Sequence, residues 1–228
     1  MEGRIVLITG GAKRVGAAIC RRLHAAGARL MIHYRKSAGE ARLLQAELNH
    51  VRAESVALIQ ADLLDLNKLP AIVDRTVQTF GRLDALINNA SSFFPTPIGE
   101  ITAQAWDDLI GTNLRAPLFL AQAGAPALRK SQGTIVNIVD IHADRPLKNF
   151  VVYSVAKAGL VAVTRSLAPE VAAHLRRNTI APSAEPVKPR VLLIVSIGSS
   201  APCLRVWCTS RSETCRLSTS GRNRLIDS

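Results

Sequence analysis

The alternation of short apolar segments with longer helical ones most limits what this chain can fold into. Five segments are short, mostly apolar and rich in Val, Ile or Leu, as in strands covered on both faces; they are residues 4–9, 29–33, 56–60, 85–88 and 134–139. Helical segments lie between and after them, at residues 15–26, 38–51, 66–80, 102–128 and 153–175. This order predicts an α/β fold, a doubly wound parallel sheet with helices on both faces.

Composition narrows the class of protein. Apolar residues make up 48% of the 228-residue chain and charged residues 20%, which excludes an intrinsically disordered protein. The net charge of +12 is compatible with nucleic acid, an anionic membrane or an anionic small molecule. Basic residues are scattered, whereas nucleic-acid binding calls for a basic stripe with interleaved aromatics. We therefore predict a small-molecule partner, with no nucleic acid and no membrane.

Cysteine usage indicates a reducing compartment. Cys20 stands alone in the first 200 residues, and three further cysteines lie near the C-terminus without any C-x-x-C pair. Neither a disulfide framework nor a metal site is predicted. The sequence opens directly into a strand without the pattern of a signal peptide, and no apolar run approaches the ~20 residues of a membrane span. A soluble, cytoplasmic protein is the expectation.

The chain changes character after about residue 180. Residues 181–228 contain nine Ser, seven Lys or Arg, three Cys and three acidic residues. We predict a catalytic domain at residues 1–180 and a divergent tail at residues 181–228, read either as the product of a frameshift or as a disordered C-terminus. Within the tail, the apolar run 191–197 could form a final strand, whereas residues 209–228 lack periodicity and are predicted as coil.

A glycine-containing turn follows the first predicted strand and opens the first predicted helix. Its sequence from Thr9 to Gly16 is Thr-Gly-Gly-Ala-Lys-Arg-Val-Gly. Glycines allow a tight turn and a close approach to a pyrophosphate, whose charge is stabilised at a helix N-terminus. The position of the turn favours nucleotide binding over an ordinary strand-to-helix connection.

The end of the second strand indicates which nucleotide is bound. A site for NAD has an acidic residue there, which accepts hydrogen bonds from the ribose. This chain has Arg35, Lys36 and Ser37 instead, with Arg14 in the glycine turn. Guanidinium groups offer forked donors that suit a 2′-phosphate. The pattern favours NADP, used as NADPH, over NAD; the alternative is a solvated basic turn.

Tyr153 and Lys157 form a second candidate site. Their spacing of four places both side chains on one helical face, and a nearby ammonium lowers the pKa of a phenol toward working pH. Asp140 ends a predicted strand 13 residues earlier, and an ionised carboxylate there would oppose Lys157. The three groups are predicted to act as a coupled set. A Tyr-x-x-x-Lys pattern alone also occurs on exposed helices.

These motifs resemble those of the short-chain dehydrogenase/reductase family, a Rossmann-type family, and in particular its pteridine reductase branch. The family's glycine motif matches at Thr9, Gly10 and Gly16, with Arg14 in place of the middle glycine, as in pteridine reductases. Those enzymes share the Asp found here as Asp140, where most relatives have Ser. The resemblance covers about residues 1–180 and fades at the Pro182–Ser183 dipeptide, where the family has Pro-Gly.

The resemblance implies roles for individual residues. Asn113 corresponds to the helix Asn of the catalytic tetrad, beside Asp140, Tyr153 and Lys157. The implied cofactor-binding residues are Gly10, Arg14, Val15, Gly16, Arg35, Lys36, Ser37, Asp62, Leu63, Asn89, Ala90, Tyr153 and Lys157. The implied substrate-binding residues are Ser91, Phe93, Asp140 and Tyr153, with Phe93 stacking on a pterin ring. Phe93 and Phe94 could instead be parts of the core.

The expected function is NADPH-dependent reduction of a pterin or dihydropterin, with hydride passing to a ring C=N carbon and Tyr153 assisting protonation. One alternative is reduction of a carbonyl substrate, for example a 3-oxoacyl group on a carrier protein. Another is a non-catalytic nucleotide-binding remnant, because the tail does not match the family. The resemblance also implies a homo-oligomer, either a dimer or a tetramer.

Overall fold

The computed structural model describes the backbone of residues 1–176, 191–196 and 205–208, and side chains as far as residue 167. Within these ranges one sheet contains seven strands in the order β3-β2-β1-β4-β5-β6-β7. They are β1 (Ile5–Ile8), β2 (Arg29–Tyr34), β3 (Val56–Gln60), β4 (Ala85–Asn88), β5 (Thr134–Asp140), β6 (Val191–Ser196) and β7 (Arg205–Cys208). β1 to β6 pair in parallel, and β7 pairs antiparallel to β6. The predicted doubly wound parallel sheet is confirmed.

Helices cover both faces of this sheet. In the described ranges they are α1 (Arg14–Ala25), α2 (Ala38–Val51), α3 (Leu69–Phe80), α4 (Ala103–Ile110), α5 (Ala116–Ser131) and α6 (Val151–Arg176). Short 3-10 turns occupy Leu66–Lys68 and Ile141–Ala143. None of these helices combines bilayer-spanning length with sufficient apolar character.

The core consists of two layers, one on each side of the sheet. On one side, Leu7, Met31 and Leu86 pack with residues of α3 and α5, such as Ile72 and Leu120. The other layer is built from alternate strand residues and apolar residues of α1 and α2; it includes Val6, Ile8, Leu30, Ile32, Cys20 and Leu44. Successive strand side chains point to opposite faces, so burial on both faces explains the near-continuous apolar runs.

The helix predicted at residues 102–128 is present, but one π turn interrupts its α-helical hydrogen bonding. α4 ends at Ile110, and a π-helical segment, Gly111–Arg115, separates it from α5. The Asn113 side-chain amide donates a 2.9 Å hydrogen bond to the Leu109 carbonyl, four residues earlier. A side-chain donor thereby occupies the acceptor that an α-helical backbone N–H would use, which is a local cause of a π turn.

The strand predicted at residues 191–197 corresponds to β6, which pairs with β5 along its length. β6 therefore covers the edge of β5 that would otherwise present unpaired backbone groups. The coil predicted at residues 209–228 and the Pro182–Ser183 position lie outside the described residues.

A buried network of side-chain hydrogen bonds connects β4 and β5 to α6. Asn88 Nδ2 donates to Asn137 Oδ1 at 2.8 Å, and Asn137 Nδ2 donates to Thr164 Oγ1 at 2.9 Å. All three residues are at most 3% exposed. Because burial of unpaired polar groups is costly, this hydrogen-bond network stabilises the observed alignment of β4, β5 and α6.

We expect Asn137→Ala to lower the free energy of unfolding by about 2–4 kcal/mol, because it leaves the buried Asn88 Nδ2 without its acceptor and creates a cavity. Thr164 loses the donor to its Oγ1 but keeps its own hydrogen bond to the Leu160 carbonyl. Urea unfolding followed by circular dichroism measures the change. Asn67→Ala, at an exposed position of a 3-10 turn, is the matched control and should change stability by less than about 0.5 kcal/mol. Equal effects of both substitutions would contradict this role of Asn137.

Candidate active site

The reversal of strand order between β1 and β4 creates a crevice at the carboxyl ends of the strands, where open α/β sheets bind ligands. A cavity of about 500 Å³ lies there. Every residue of the predicted cofactor-binding set lines it: Gly10, Arg14, Val15, Gly16, Arg35, Lys36, Ser37, Asp62, Leu63, Asn89, Ala90, Tyr153 and Lys157. The cavity thus joins the glycine turn to the Tyr–Lys pair, although the two are far apart in sequence.

The glycine turn is packed too tightly for larger residues. Gly10 has a φ of 61°, and a Cβ there would lie 2.9 Å from the Cα of Ala90. A Cβ at Gly16 would collide with the Gly10 carbonyl oxygen and lie 2.7 Å from Asn89 Nδ2. The Asn89 amide also donates to the carbonyls of Thr9 and Gly10 at 2.9 Å each. Asn89 therefore fixes the turn against the end of β4.

His33, at the end of β2, was assigned no role from sequence and holds the same turn from the other side. Its Nδ1 accepts a 3.3 Å hydrogen bond from the Gly10 N–H, and its Nε2 lies 3.1 Å from the Ala61 carbonyl. Only the neutral tautomer protonated at Nε2 satisfies both contacts. Burial lowers the pKa of His33 from 6.5 to about 4, which keeps the ring neutral. A histidine in a run of polar residues gives no sequence signal for this role.

The His33 contact predicts loss of stability in acid. Its pKa is lower in the folded than in the unfolded chain, so its stabilising contribution is present above pH 6.5 and is lost as pH falls toward 4. The expected loss is about 3 kcal/mol. Unfolding free energies across this range measure it. His33→Asn, whose Oδ1 can still accept from Gly10, should show a shallower pH dependence; the same slope in both proteins would contradict this account.

The charged rim of the cavity fits the phosphate groups of a dinucleotide. The N-terminus of α1 points its first N–H groups at the turn, and Lys13, which precedes the helix, provides no side-chain cap. Arg35 Nη1 lies 3.8 Å from Asp62 Oδ1 and 3.9 Å from Asp108 Oδ2. Both distances exceed a hydrogen bond, so these carboxylates leave guanidinium donors available to another anion.

Three functional groups converge at the far end of the cavity. The Tyr153 hydroxyl donates a 2.9 Å hydrogen bond to Asp140 Oδ2. The Lys157 ammonium donates to the Ile138 carbonyl at 3.0 Å and lies 5.6 Å from the centre of the Tyr153 ring. β5 supplies Asp140 at its carboxyl end, and α6 supplies the other two residues from one face. The arrangement can hold a substrate group and pass a proton to it.

The pKa shifts of Tyr153 and Lys157 differ from those expected from the sequence. Burial, followed by the charge and hydrogen-bond acceptance of Asp140, raises the pKa of Tyr153 well above its ordinary value. Burial lowers the pKa of Lys157 to about 8, although Asp140 opposes that shift. The prediction that Lys157 lowers the Tyr153 pKa toward working pH is therefore wrong. Tyr153 keeps its proton at neutral pH, as a proton donor requires.

Two predicted site residues do not line the cavity. The side chain of Asn113 is buried in the π turn, where it accepts from the Ser91 hydroxyl at 2.6 Å and donates to the Ser92 carbonyl at 2.9 Å. Phe93 lies outside the cavity wall, with its ring stacked on Phe150 at 4.5 Å and edge-on to Tyr153 at 4.8 Å. Asn113 thus positions the loop that carries Ser91, which does line the cavity.

Some residues at the cavity were not singled out from sequence. Besides His33, they are Ala12, Lys13, Tyr34, Ser92, Thr112, Ile138 and Val139. Most are immediate neighbours of predicted residues, so proximity in sequence is the signal that could have found them. Phe94 packs with Leu109, Val152 and Tyr153, which agrees with the alternative that it is part of the core.

Comparison with known proteins places this geometry in a family. Residues 4–186 match the profile of the short chain dehydrogenase family. Pteridine reductase 1 of Leishmania tarentolae is 36% identical, over an alignment that covers 78% of this chain and 75% of that protein. An uncharacterized oxidoreductase of Staphylococcus aureus (strain USA300) is 29% identical, and another from strain N315 is 30% identical; each alignment covers 75% of this chain and 73% of the relative. The chain therefore belongs to the short-chain dehydrogenase/reductase family of oxidoreductases, whose members use NAD or NADP.

Proposed function

We propose that the protein is an NADPH-dependent reductase of a pterin or dihydropterin. The observation that carries the proposal is the 2.9 Å hydrogen bond from the Tyr153 hydroxyl to Asp140, beside Lys157, in the cavity that also contains the glycine turn. The similarity to a pteridine reductase supports the choice of substrate class. Assembly into a dimer or tetramer is part of the same proposal and can be measured by light scattering.

The cofactor would lie along the glycine turn. Its pyrophosphate would face the N-terminus of α1, and its 2′-phosphate would face Arg35, Lys36 and Ser37, with Arg14 contributing from the turn. Lys157 would hold the nicotinamide ribose. When bound, NADPH supplies the hydride.

Asp140 and Tyr153 would handle the substrate. A carboxylate accepts hydrogen bonds, so Asp140 suits the amino and ring N–H donors of a pterin better than it suits a carbonyl oxygen. Tyr153 is protonated at neutral pH and can give its proton to the ring nitrogen beside the reduced carbon. Asp140 thereby orients the substrate, and Tyr153 acts as the acid.

Ser91 and Phe93 would form the remaining substrate contacts. The Ser91 hydroxyl lies at the cavity wall. Phe150 stacks on one side of the Phe93 ring, and Phe93 is 54% exposed, so a flat heterocycle can stack on the open side. The substrate would then stack at the edge of the cavity and not inside it, because Phe93 is not among the residues that line the cavity.

The test compares substrates. NADPH oxidation is followed with dihydrobiopterin and with a β-ketoacyl thioester, using the full chain and Tyr153→Phe as the negative control. We expect turnover with the pterin and much slower turnover with the thioester. Faster turnover of the thioester would support a carbonyl reductase instead. Thermal stabilisation by NADPH without turnover of either compound would support a non-catalytic nucleotide-binding protein.

A further inference from the structure

Ser91 and Asn113 form a hydrogen-bonded pair at the wall of the cavity. Asn113 is 1% exposed, whereas Ser91 is exposed and lines the cavity just after β4. The Ser91 hydroxyl donates to Asn113 Oδ1 at 2.6 Å. Because a hydroxyl has one proton and two lone pairs, the direction of this hydrogen bond decides what Ser91 can offer to a ligand.

The other hydrogen bonds of Asn113 fix this direction. Asn113 Nδ2 donates to the carbonyls of Leu109 and Ser92, at 2.9 Å each. Both protons of the side-chain amide are thereby used, and a flipped amide would place Oδ1 against two carbonyl oxygens, which cannot donate. Oδ1 is therefore the atom that faces Ser91, and it can only accept.

The Ser91 proton has two other acceptors nearby. The Ser92 carbonyl is 3.4 Å away and already accepts from Asn113. The Tyr153 hydroxyl also lies near Ser91, and a hydrogen bond from Ser91 to it would lower the pKa of Tyr153. Asn113 Oδ1, however, is buried and has no other donor among the described residues, so losing the Ser91 proton would leave it unpaired at a high cost. Ser91 therefore presents lone pairs to the cavity.

Ser91 and Asp140 thus offer the same kind of group to a substrate. Both line the cavity, and both present oxygen lone pairs to it. A ligand with a carbonyl oxygen against Ser91 would bring two acceptors together, whereas an amino group there would form a hydrogen bond. A site built to pair with one polar group discriminates against the analogue that lacks that group.

We propose that Asn113 sets Ser91 as the acceptor for an amino group of the substrate, so that the pair selects an amino-substituted heterocycle over the analogue with a carbonyl oxygen in the same place. This inference rests on the proposed function, because it takes the bound heterocycle to be a pterin. Asn113 acts here as a positioning residue. It determines the direction in which the Ser91 hydroxyl points and does not line the cavity itself.

Two ligands that differ in a single group test this selection. Pterin has an exocyclic amino group, and lumazine has a carbonyl oxygen in its place. Titration of the protein saturated with NADP⁺, which has no hydride to give, measures the dissociation constant of each ligand. We expect wild type to bind pterin about tenfold more tightly than lumazine. Ser91→Ala should reduce this preference to about threefold or less by weakening the binding of pterin.

Asn113→Ala should change the selection in a different way. It frees the Ser91 hydroxyl to donate to a carbonyl, so lumazine should bind about fivefold more tightly than it binds to wild type. In a Ser91→Ala background the same substitution should leave the preference unchanged, because no hydroxyl remains to be redirected. Asn137→Ala, the matched control, removes another buried asparagine and should keep the wild-type preference. A wild-type preference in either Ser91→Ala or Asn113→Ala would overturn the proposal.

A measurement without ligands keeps the inference separate from the proposed function. In the ligand-free protein, both side-chain amide protons of Asn113 should exchange with water far more slowly than those of the exposed Asn67, and Ser91→Ala should shift the carboxamide ¹³C resonance of Asn113. Fast exchange or an unshifted resonance would overturn the inference, because Ser91 would then not donate to a fixed amide. If neither pterin nor lumazine binds but the resonances behave as expected, the proposed function fails and the polarity of the pair stands.

Discussion

Tyr153→Phe is expected to lower kcat for NADPH-dependent pterin reduction by about a thousandfold, the contribution of a well-placed general acid. The substitution removes the hydroxyl that donates to Asp140 and leaves the ring, which packs with Leu109 and Val152. The fold should therefore be retained, and the loss should appear in kcat with the dissociation constant of NADPH changed by less than about threefold. Steady-state kinetics and fluorescence titration with NADPH measure the two quantities.

Ser154→Ala is the matched control for this experiment. It removes one hydroxyl from the next position of α6, and the Ser154 Oγ is buried without a hydrogen-bond partner among the described residues. Its kcat should stay within about twofold of wild type, since a partnerless buried hydroxyl contributes little to the fold or the site. A Tyr153→Phe enzyme with near-wild-type kcat would remove Tyr153 from the mechanism and leave Asp140 as the remaining acid.

The order of elements was predictable because apolar periodicity depends on burial, and burial on both faces of a parallel sheet leaves a strong pattern. The interruption at Gly111–Arg115 was not predictable in the same way. The residues on both sides of it favour a helix, and the break depends on where the Asn113 amide donates its hydrogen bonds. Competition between side-chain and backbone donors leaves the spacing of apolar residues in the sequence unchanged, so the apolar pattern does not reveal the π turn.

The cavity residues were predictable for a related reason. Glycines at a turn and a Tyr–Lys pair at helical spacing are local patterns, and the parallel topology brings the carboxyl ends of the strands together. The energetics of the site depend on three-dimensional distances instead. Lys157 donates to Ile138, and Asp140 accepts from Tyr153, so the phenol pKa moves in the direction opposite to the one expected from spacing alone. The contact between His33 and Gly10 likewise joins residues 23 positions apart.

Removing the basic side chains after β2 should weaken the binding of NADPH and leave the binding of NADH nearly unchanged. We expect the double variant Arg35→Ala, Lys36→Ala to raise the dissociation constant of NADPH by about a hundredfold, because each charge-assisted hydrogen bond to a phosphate contributes roughly 1.5–3 kcal/mol. NADH lacks the 2′-phosphate, so its dissociation constant should change by less than about threefold. The Arg35 contacts to Asp62 and Asp108 are long, and their loss should cost little stability.

The matched control removes the same charge elsewhere. Arg21→Ala, Arg22→Ala deletes two exposed cations of α1 and lowers the net charge by the same amount, without touching the cavity. If bulk charge attracted NADPH, both double variants would weaken its binding alike, and salt would abolish the effect in both. If Arg35 and Lys36 contact the 2′-phosphate, only their removal reduces the preference for NADPH over NADH. An unchanged preference for NADPH over NADH in the first variant would mean that these residues do not contact the 2′-phosphate and that the cofactor preference has another source.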